Sequence, residues 1–316
     1  MMRLCSLSFG TFAVAVGLLA GAAIAQAASE TWVSGTGTDT GTCQITTPCR
    51  TFAYAHSQTN NNGSINVLTS GNFGPLTITK PISIVARGVE AVINNGPGSF
   101  TSGILVQAGA NAVVSLWGLT IDMRGTNQNG IRFLTGAALH VHDCVIRNGM
   151  HGILFEVSGT SELYVADSVI ADGKFNGIFV VPNGTGNARV AVDRVRLENN
   201  VGSGITFQGD FTSGSITASV RDIVSDGSNS SGIEARGEAG GGTVNLMIDR
   251  SAFVNNSSGV LASGAGATIR IGDSTVSGNT FGLSVSASGG AIVSYGTNQV
   301  NGNGTDGTTT STIGMK

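Results

Sequence analysis

The chain has 316 residues, with 16 Lys+Arg against 19 Asp+Glu and a formal net charge of −3. Charged side chains make up only 11% and hydrophobic ones 41%, which argues against a basic nucleic-acid surface and against a disordered chain. Glycine is abundant, 48 residues against 5 prolines, and without a three-residue period this speaks for many tight turns and against collagen.

The first element is a targeting segment. Met1-Met2-Arg3-Leu4 carries one positive charge, Phe9 to Ala25 is apolar, and small residues recur at Ala23, Ala25 and Ala27. That order predicts a signal peptide over residues 1–27, cleaved near residues 25–27, and a secreted or periplasmic mature chain. No later run reaches the roughly 18 apolar residues of a spanning helix, so no transmembrane segment is expected in the mature chain. Residues 28–62 read as an N-terminal cap. Within it Cys43 and Cys49 lie close enough in sequence to close a local disulfide loop in an oxidising compartment. Cys49 to Gln58 reads as a short helix with Phe52 and Ala55 facing the first coil, ended by Asn60-Asn61-Asn62-Gly63. Cys144 follows a strand-like apolar pattern and reads as a buried, inert thiol.

Residues 63–301 are a repeat. Gly followed by an aliphatic residue recurs at Gly103-Ile104, Gly130-Ile131, Gly152-Ile153, Gly177-Ile178, Gly204-Ile205, Gly232-Ile233, Gly259-Val260 and Gly282-Leu283, at spacings of 22 to 28 residues. An Asp precedes six of these glycines: Asp143, Asp167, Asp193, Asp222, Asp249 and Asp273. Runs such as Leu139-His140-Val141-His142 and Leu163-Tyr164-Val165-Ala166 alternate with period two, the mark of strands with one buried face. Turn residues such as Asn148-Gly149 and Asn255-Asn256 separate them. Strands this short bury nothing alone, whereas stacked units align like residues from coil to coil. The period is too short for a propeller blade, and the units lack the fixed leucines of leucine-rich repeats. The predicted fold is all-β: a single-stranded right-handed parallel β-helix solenoid of about ten coils with a short N-terminal capping helix. Residues 302–316, mostly Gly, Thr and Ser, are expected to form a flexible tail.

Asp167-Ser168-Val169-Ile170 and Asp273-Ser274-Thr275-Val276 ahead of Gly-Ile or Gly-Leu pairs resemble the secreted right-handed β-helix repeat proteins of pectin-lyase-like architecture. Pro48-Cys49-Arg50-Thr51-Phe52-Ala53-Tyr54-Ala55 resembles the helix that covers their first coil, and Gly71 to Val85 resembles that coil. The resemblance implies the fold for residues 31–304. It leaves function open among lyases, hydrolases, epimerases, adhesins and non-catalytic proteins.

The six-Asp column is read as turn-forming, because one position repeated in every coil does not converge on one spot. His151, Asp172 and Lys174, with Arg147 on the same side, form one small ionisable cluster and are the candidate catalytic residues. Tyr164 is expected to point outward one coil from His140, making a stacking point for a sugar. His140 and His142 share a strand face, but no column completes a metal site, and none is assigned. No cofactor is expected; calcium enters only with a lyase. The leading reading is a non-catalytic exported β-helix that binds an extracellular polysaccharide or cell-surface component, with no nucleic-acid partner. The alternatives are a pectate-lyase-like polysaccharide lyase, or less so a hydrolase, and a self-associating adhesive or structural protein.

Overall fold

The computed structural model describes residues 28–94 and 102–314, so the predicted signal peptide lies outside the described residues. Each repeat contributes three strands. In one coil these are Asn129–Thr135, Ala138–His142 and Val145–Arg147, and in the next Ile153–Phe155, Thr160–Ala166 and Val169–Ala171. Each strand pairs in parallel with its counterpart one coil away. The result is three parallel sheets, here sheet I of 12 strands, sheet II of 10 and sheet III of 9, wound as a right-handed β-helix of about 10 turns.

The alternation in sequence becomes two faces. Ile104, Ile131, Ile153, Ile178, Ile205, Ile233, Val260 and Leu283 pile into one interior row of sheet III, none more than 7% exposed. Leu116, Val141, Val165, Val192, Val220 and Ile248 form a matching row in sheet I. Each such side chain contributes about 1.5–3 kcal/mol over its exposed state. The glycine before each aliphatic has a steric cause. A Cβ on Gly152 would stand 2.3 Å from the Ile170 side chain and 2.6 Å from the Gly177 carbonyl.

The corner between sheets I and II is a single left-handed residue, and here the Asp column divides. Asp143, Asp167, Asp222 and Asp273 hold that corner with φ between 48° and 53°, but Arg194 and Arg250 hold it in the intervening coils, with φ of 52° and 43°. Asp193 and Asp249 stand one residue earlier, at the end of sheet I strands. The six aspartates therefore occupy two columns instead of one. At the corner between sheets II and III, Asn256, Asn279 and Asn303 form a ladder. The Asn279 Oδ1 accepts from the Asn256 amide at 2.8 Å, and the Asn303 Oδ1 accepts from the Asn279 amide at 3.0 Å.

The N-terminal end is closed by helix α1 (Phe52–Gln58), whose N-cap Thr51 accepts from the Tyr54 amide. Phe52 and Ala55 are fully buried beneath it. A disulfide joins Cys43 to Cys49. The cap region also supplies strand Ala28–Val33, which begins sheet I by pairing with Thr59–Val67. At the other end the expected flexible tail is a correction. Thr305 bridges to Phe281, the Leu283 amide donates to the Asp306 carbonyl, and Ser311–Thr312 pairs with Val293–Ser294. Backbone pairing needs no apolar side chains, so a Gly/Thr/Ser segment satisfies the last coil's open hydrogen bonds.

Candidate functional site: the outer face of sheet I

Strand register builds an outward column from Ser115, His140, Tyr164, Ala191, Ser219, Met247 and Arg270. Beside it runs a second column that includes Trp117, His142, Asp193, Arg221 and Asp249. Where the columns meet, rings gather. The His142 ring lies flat on Trp117, with centroids 4.0 Å apart and planes at 7°, and Tyr164 leans onto His142 at 4.9 Å. The Arg87 guanidinium sits over Trp117 at 5.8 Å from its centroid. Tyr164 also meets His140 edge-on at 6.2 Å. Partial burial, then the neighbouring His140, lowers the His142 pKa, so its ring favours the neutral, stackable form.

The platform opens onto a groove. A depression of about 610 Å³ is lined by His140, Glu162, Tyr164, Arg189, Ser219 and Met247. It shares Ser219 and Met247 with a second depression of about 620 Å³, which runs on to Asp273, Tyr295 and Ile313. Together they follow the solenoid axis. Arg270, in the outward column between Met247 and Val293, carries a charge onto this face.

The acids and bases along the edge of this face are spent on one another. Arg194 forks onto Asp167 at 2.6 and 3.0 Å and also binds Asp193; Arg221 reaches Asp193 at 2.9 Å; Arg250 forks onto Asp222 at 3.0 and 2.9 Å. Hydrogen bonds from Arg194 and Arg250 hold the Asp167 and Asp222 carboxyls below their usual range. A calcium ion needs carboxylate oxygens turned toward one point. These oxygens are turned along the ladder toward the arginines, so the ladder does not fit such a site.

Each side chain of the sequence-predicted cluster has a partner outside the cluster. His151 is only 8% exposed, its Nδ1 accepts from the Asn176 amide at 3.3 Å, and burial pushes its pKa down to about 4. Its ring packs between Phe175 and Phe179, at 5.6 and 5.1 Å. Lys174 donates to Asn127 at 2.8 Å, Asp172 holds a left-handed corner and accepts from Asn199, and Arg147 pairs with Asp122 at 3.0 Å. Four groups thus have four separate partners. Tyr164 and His140, by contrast, stand directly opposite one another on adjacent strands. Sequence reasoning missed the Trp117–His142 stack, although their separation of 25 residues is one coil length. It also missed Glu234, on the outer face of sheet III. Burial raises the Glu234 pKa, with Arg236 and Asp210 nearby on its own and the preceding coil.

No protein-family model matches the sequence, and no curated protein matches it. Among solved structures it is similar to pectate lyase Pel9A, with 14% identity, a TM-score of 0.58, and coverage of 84% of this chain and 74% of that one. It is also similar to a rhamnogalacturonan lyase, with 13% identity, a TM-score of 0.51, and coverage of 88% of both chains. The architecture is that of the pectate-lyase-like β-helices. At this identity the likeness carries the fold, and the pectate-lyase-like frame explains why interior rows and corner residues repeat while outward residues vary.

Proposed function

We propose that the mature chain is exported and binds an extracellular polysaccharide along the outer face of sheet I without cleaving it. The supporting observation is the Arg87–Trp117–His142–Tyr164 platform at the head of an axial groove. Pyranose rings present apolar faces that stack on aromatic rings, and their hydroxyl and acidic groups meet the flanking Glu162, Arg189 and Arg270. The disulfide of the cap is consistent with an oxidising compartment.

A catalytic reading on sheet III has one observation in its favour: Glu234 is a carboxyl group held toward its protonated form, as a general acid requires. The solved structures named above are lyases, which agrees with a polysaccharide as partner under either reading.

A glycan array with the mature protein tests binding. A retained polysaccharide is expected, with affinity falling about threefold to tenfold in Tyr164→Ala and in Trp117→Ala, since a lost aromatic contact is worth about 0.5–1.5 kcal/mol. Binding that ignores both substitutions would remove the platform from the function. Incubation with polygalacturonate and alginate separates the second reading. Ultraviolet absorbance from unsaturated products, or new reducing ends lost in Glu234→Gln, would make the protein an enzyme.

A further inference from the structure

The groove on sheet I has a second ring at its far end. The depression headed by Tyr164 and the one that reaches Tyr295 share Ser219 and Met247, so the two form one channel along the axis. Tyr164 belongs to strand Thr160–Ala166, and Tyr295 follows strand Ala291–Ser294, five rungs further along sheet I. Rungs are about 4.8 Å apart, which puts the two rings about 24 Å from each other along the solenoid. Between Tyr164 and Met247 the outward column carries only Ala191 and Ser219, so the floor there is low.

Register also holds Tyr295 in place. Its amide donates to the Ile271 carbonyl, and a Cβ on Gly272 would stand 3.2 Å from its ring, so the bare backbone of Gly272 is what lets the ring settle against the sheet. Ile313, 40% exposed, takes the next rung, where its amide donates to the Ser294 carbonyl. On the corner side stands Asp273. The corner aspartates Asp167 and Asp222 are gripped by an arginine one coil on, whereas Gly296 holds the corner after Asp273, and Asp273 lines the channel. Each end of the channel thus sets a tyrosine ring beside a carboxylate, Tyr164 with Glu162 and Tyr295 with Asp273. A pyranose uses both, an apolar face that lies on the ring and hydroxyls that donate to the carboxylate. One sugar unit cannot reach the two ends together. We infer that Tyr295 is a distal stacking residue, and that the groove takes an extended polysaccharide segment of about 24 Å or more, held at two points, in preference to shorter oligosaccharides. The inference rests on the polysaccharide-binding reading of sheet I and adds to it the length of chain the site requires.

The test uses mature protein with size-fractionated oligosaccharides of polygalacturonate, alginate, xylan and chitin. In at least one series, calorimetry is expected to give an affinity that rises about threefold to tenfold once the oligosaccharide is longer than about 24 Å, the gain of one added aromatic contact. Tyr295→Ala should abolish that rise and leave the shorter members bound as before, Tyr295→Phe should keep it, and Tyr164→Ala should weaken every member. A second readout needs no substitution. The chain has three tyrosines, so with isotope-labelled tyrosine the ring resonances of Tyr164 and Tyr295 can be followed against Tyr54 of helix α1 as an unmoved reference. Long members should shift both signals, and short ones that of Tyr164 alone. A Tyr295 signal that no length of oligosaccharide moves while Tyr164 responds, or a rise with length that survives Tyr295→Ala, would overturn the distal contact and leave sheet I standing. Absence of binding in every series, with both rings silent, would overturn the polysaccharide reading itself.

Discussion

At the scale of single residues, His56 ties the cap to the first coil. It is 8% exposed in helix α1, and its Nε2 accepts the Thr79 amide at 3.4 Å, while the adjacent Lys80 donates to the Thr59 carbonyl at the end of the same helix. Burial first, then the Lys80 charge, lowers its pKa from 6.5 to about 4. The unfolded chain therefore takes up a proton at higher pH than the folded one. The contribution of neutral His56 is fully present above 6.5, declines below it and is gone once pH falls through about 4. Protonation removes the acceptor for Thr79 and sets a second cation beside Lys80. Between about pH 7 and about pH 4 the wild type should lose about 2 kcal/mol that His56→Gln does not, because a glutamine accepts the same amide without titrating. Urea midpoints of the two proteins across that range check it. Parallel curves would mean that the helix is held by Phe52 and Ala55 alone.

At the scale of elements, the same rules that made the sequence readable also limited it. The Gly-aliphatic pairs were legible because two constraints coincide there: an interior row that wants an aliphatic, and a preceding position where a Cβ on Gly152 would strike Ile170 and Gly177. The Asn corner was legible because a side-chain amide there accepts the backbone N–H of the preceding coil, at Asn200, Asn256, Asn279 and Asn303. The Asp column was only half legible. Loop length varies between coils, so counting back from the glycine did not separate Asp193 and Asp249, which end strands, from the corner aspartates. Nor did it show that Arg194 and Arg250 take the corner in alternate coils. Ring pairs were harder still, since the Trp117–His142 stack depends on register between coils and on side-chain direction, neither of which a linear pattern encodes. The Asn ladder offers a sharp test. Asn279 accepts from Asn256 and donates to the Phe253 carbonyl and to Asn303, all in the ladder's interior. Asn279→Ala leaves several buried groups unpaired and should cost about 2–4 kcal/mol by denaturant titration, against about 0.5 kcal/mol for exposed Asn111→Ala.

At the scale of the whole molecule, a solenoid is a stack in which each coil is held by its two neighbours, so its ends decide how far it stays closed. The N-terminal end has a helix, a disulfide and the fully buried Phe52. The C-terminal end has only the polar segment that follows Val300. Asn303 completes the asparagine ladder, Asp306 accepts the Leu283 amide, and Thr310 donates its amide to the Ile292 carbonyl. Removing this segment would bare a row of amides and carbonyls on the last strands of sheets I and III, beside Leu283 and Ile292, which are now 7% and 0% exposed. Open parallel edges with an apolar lining pair readily with another chain. A chain ending at Gly302 should therefore keep its fold in the N-terminal coils, melt at lower temperature, and associate as its concentration rises. Hydrogen exchange should show lost protection that starts in strands Phe281–Val285 and Ala291–Ser294 and fades toward the cap. Light scattering measures the association. A truncated chain that stays monomeric, with those two strands as well protected as before, would mean that the last coil closes itself and that residues 303–314 merely rest upon it.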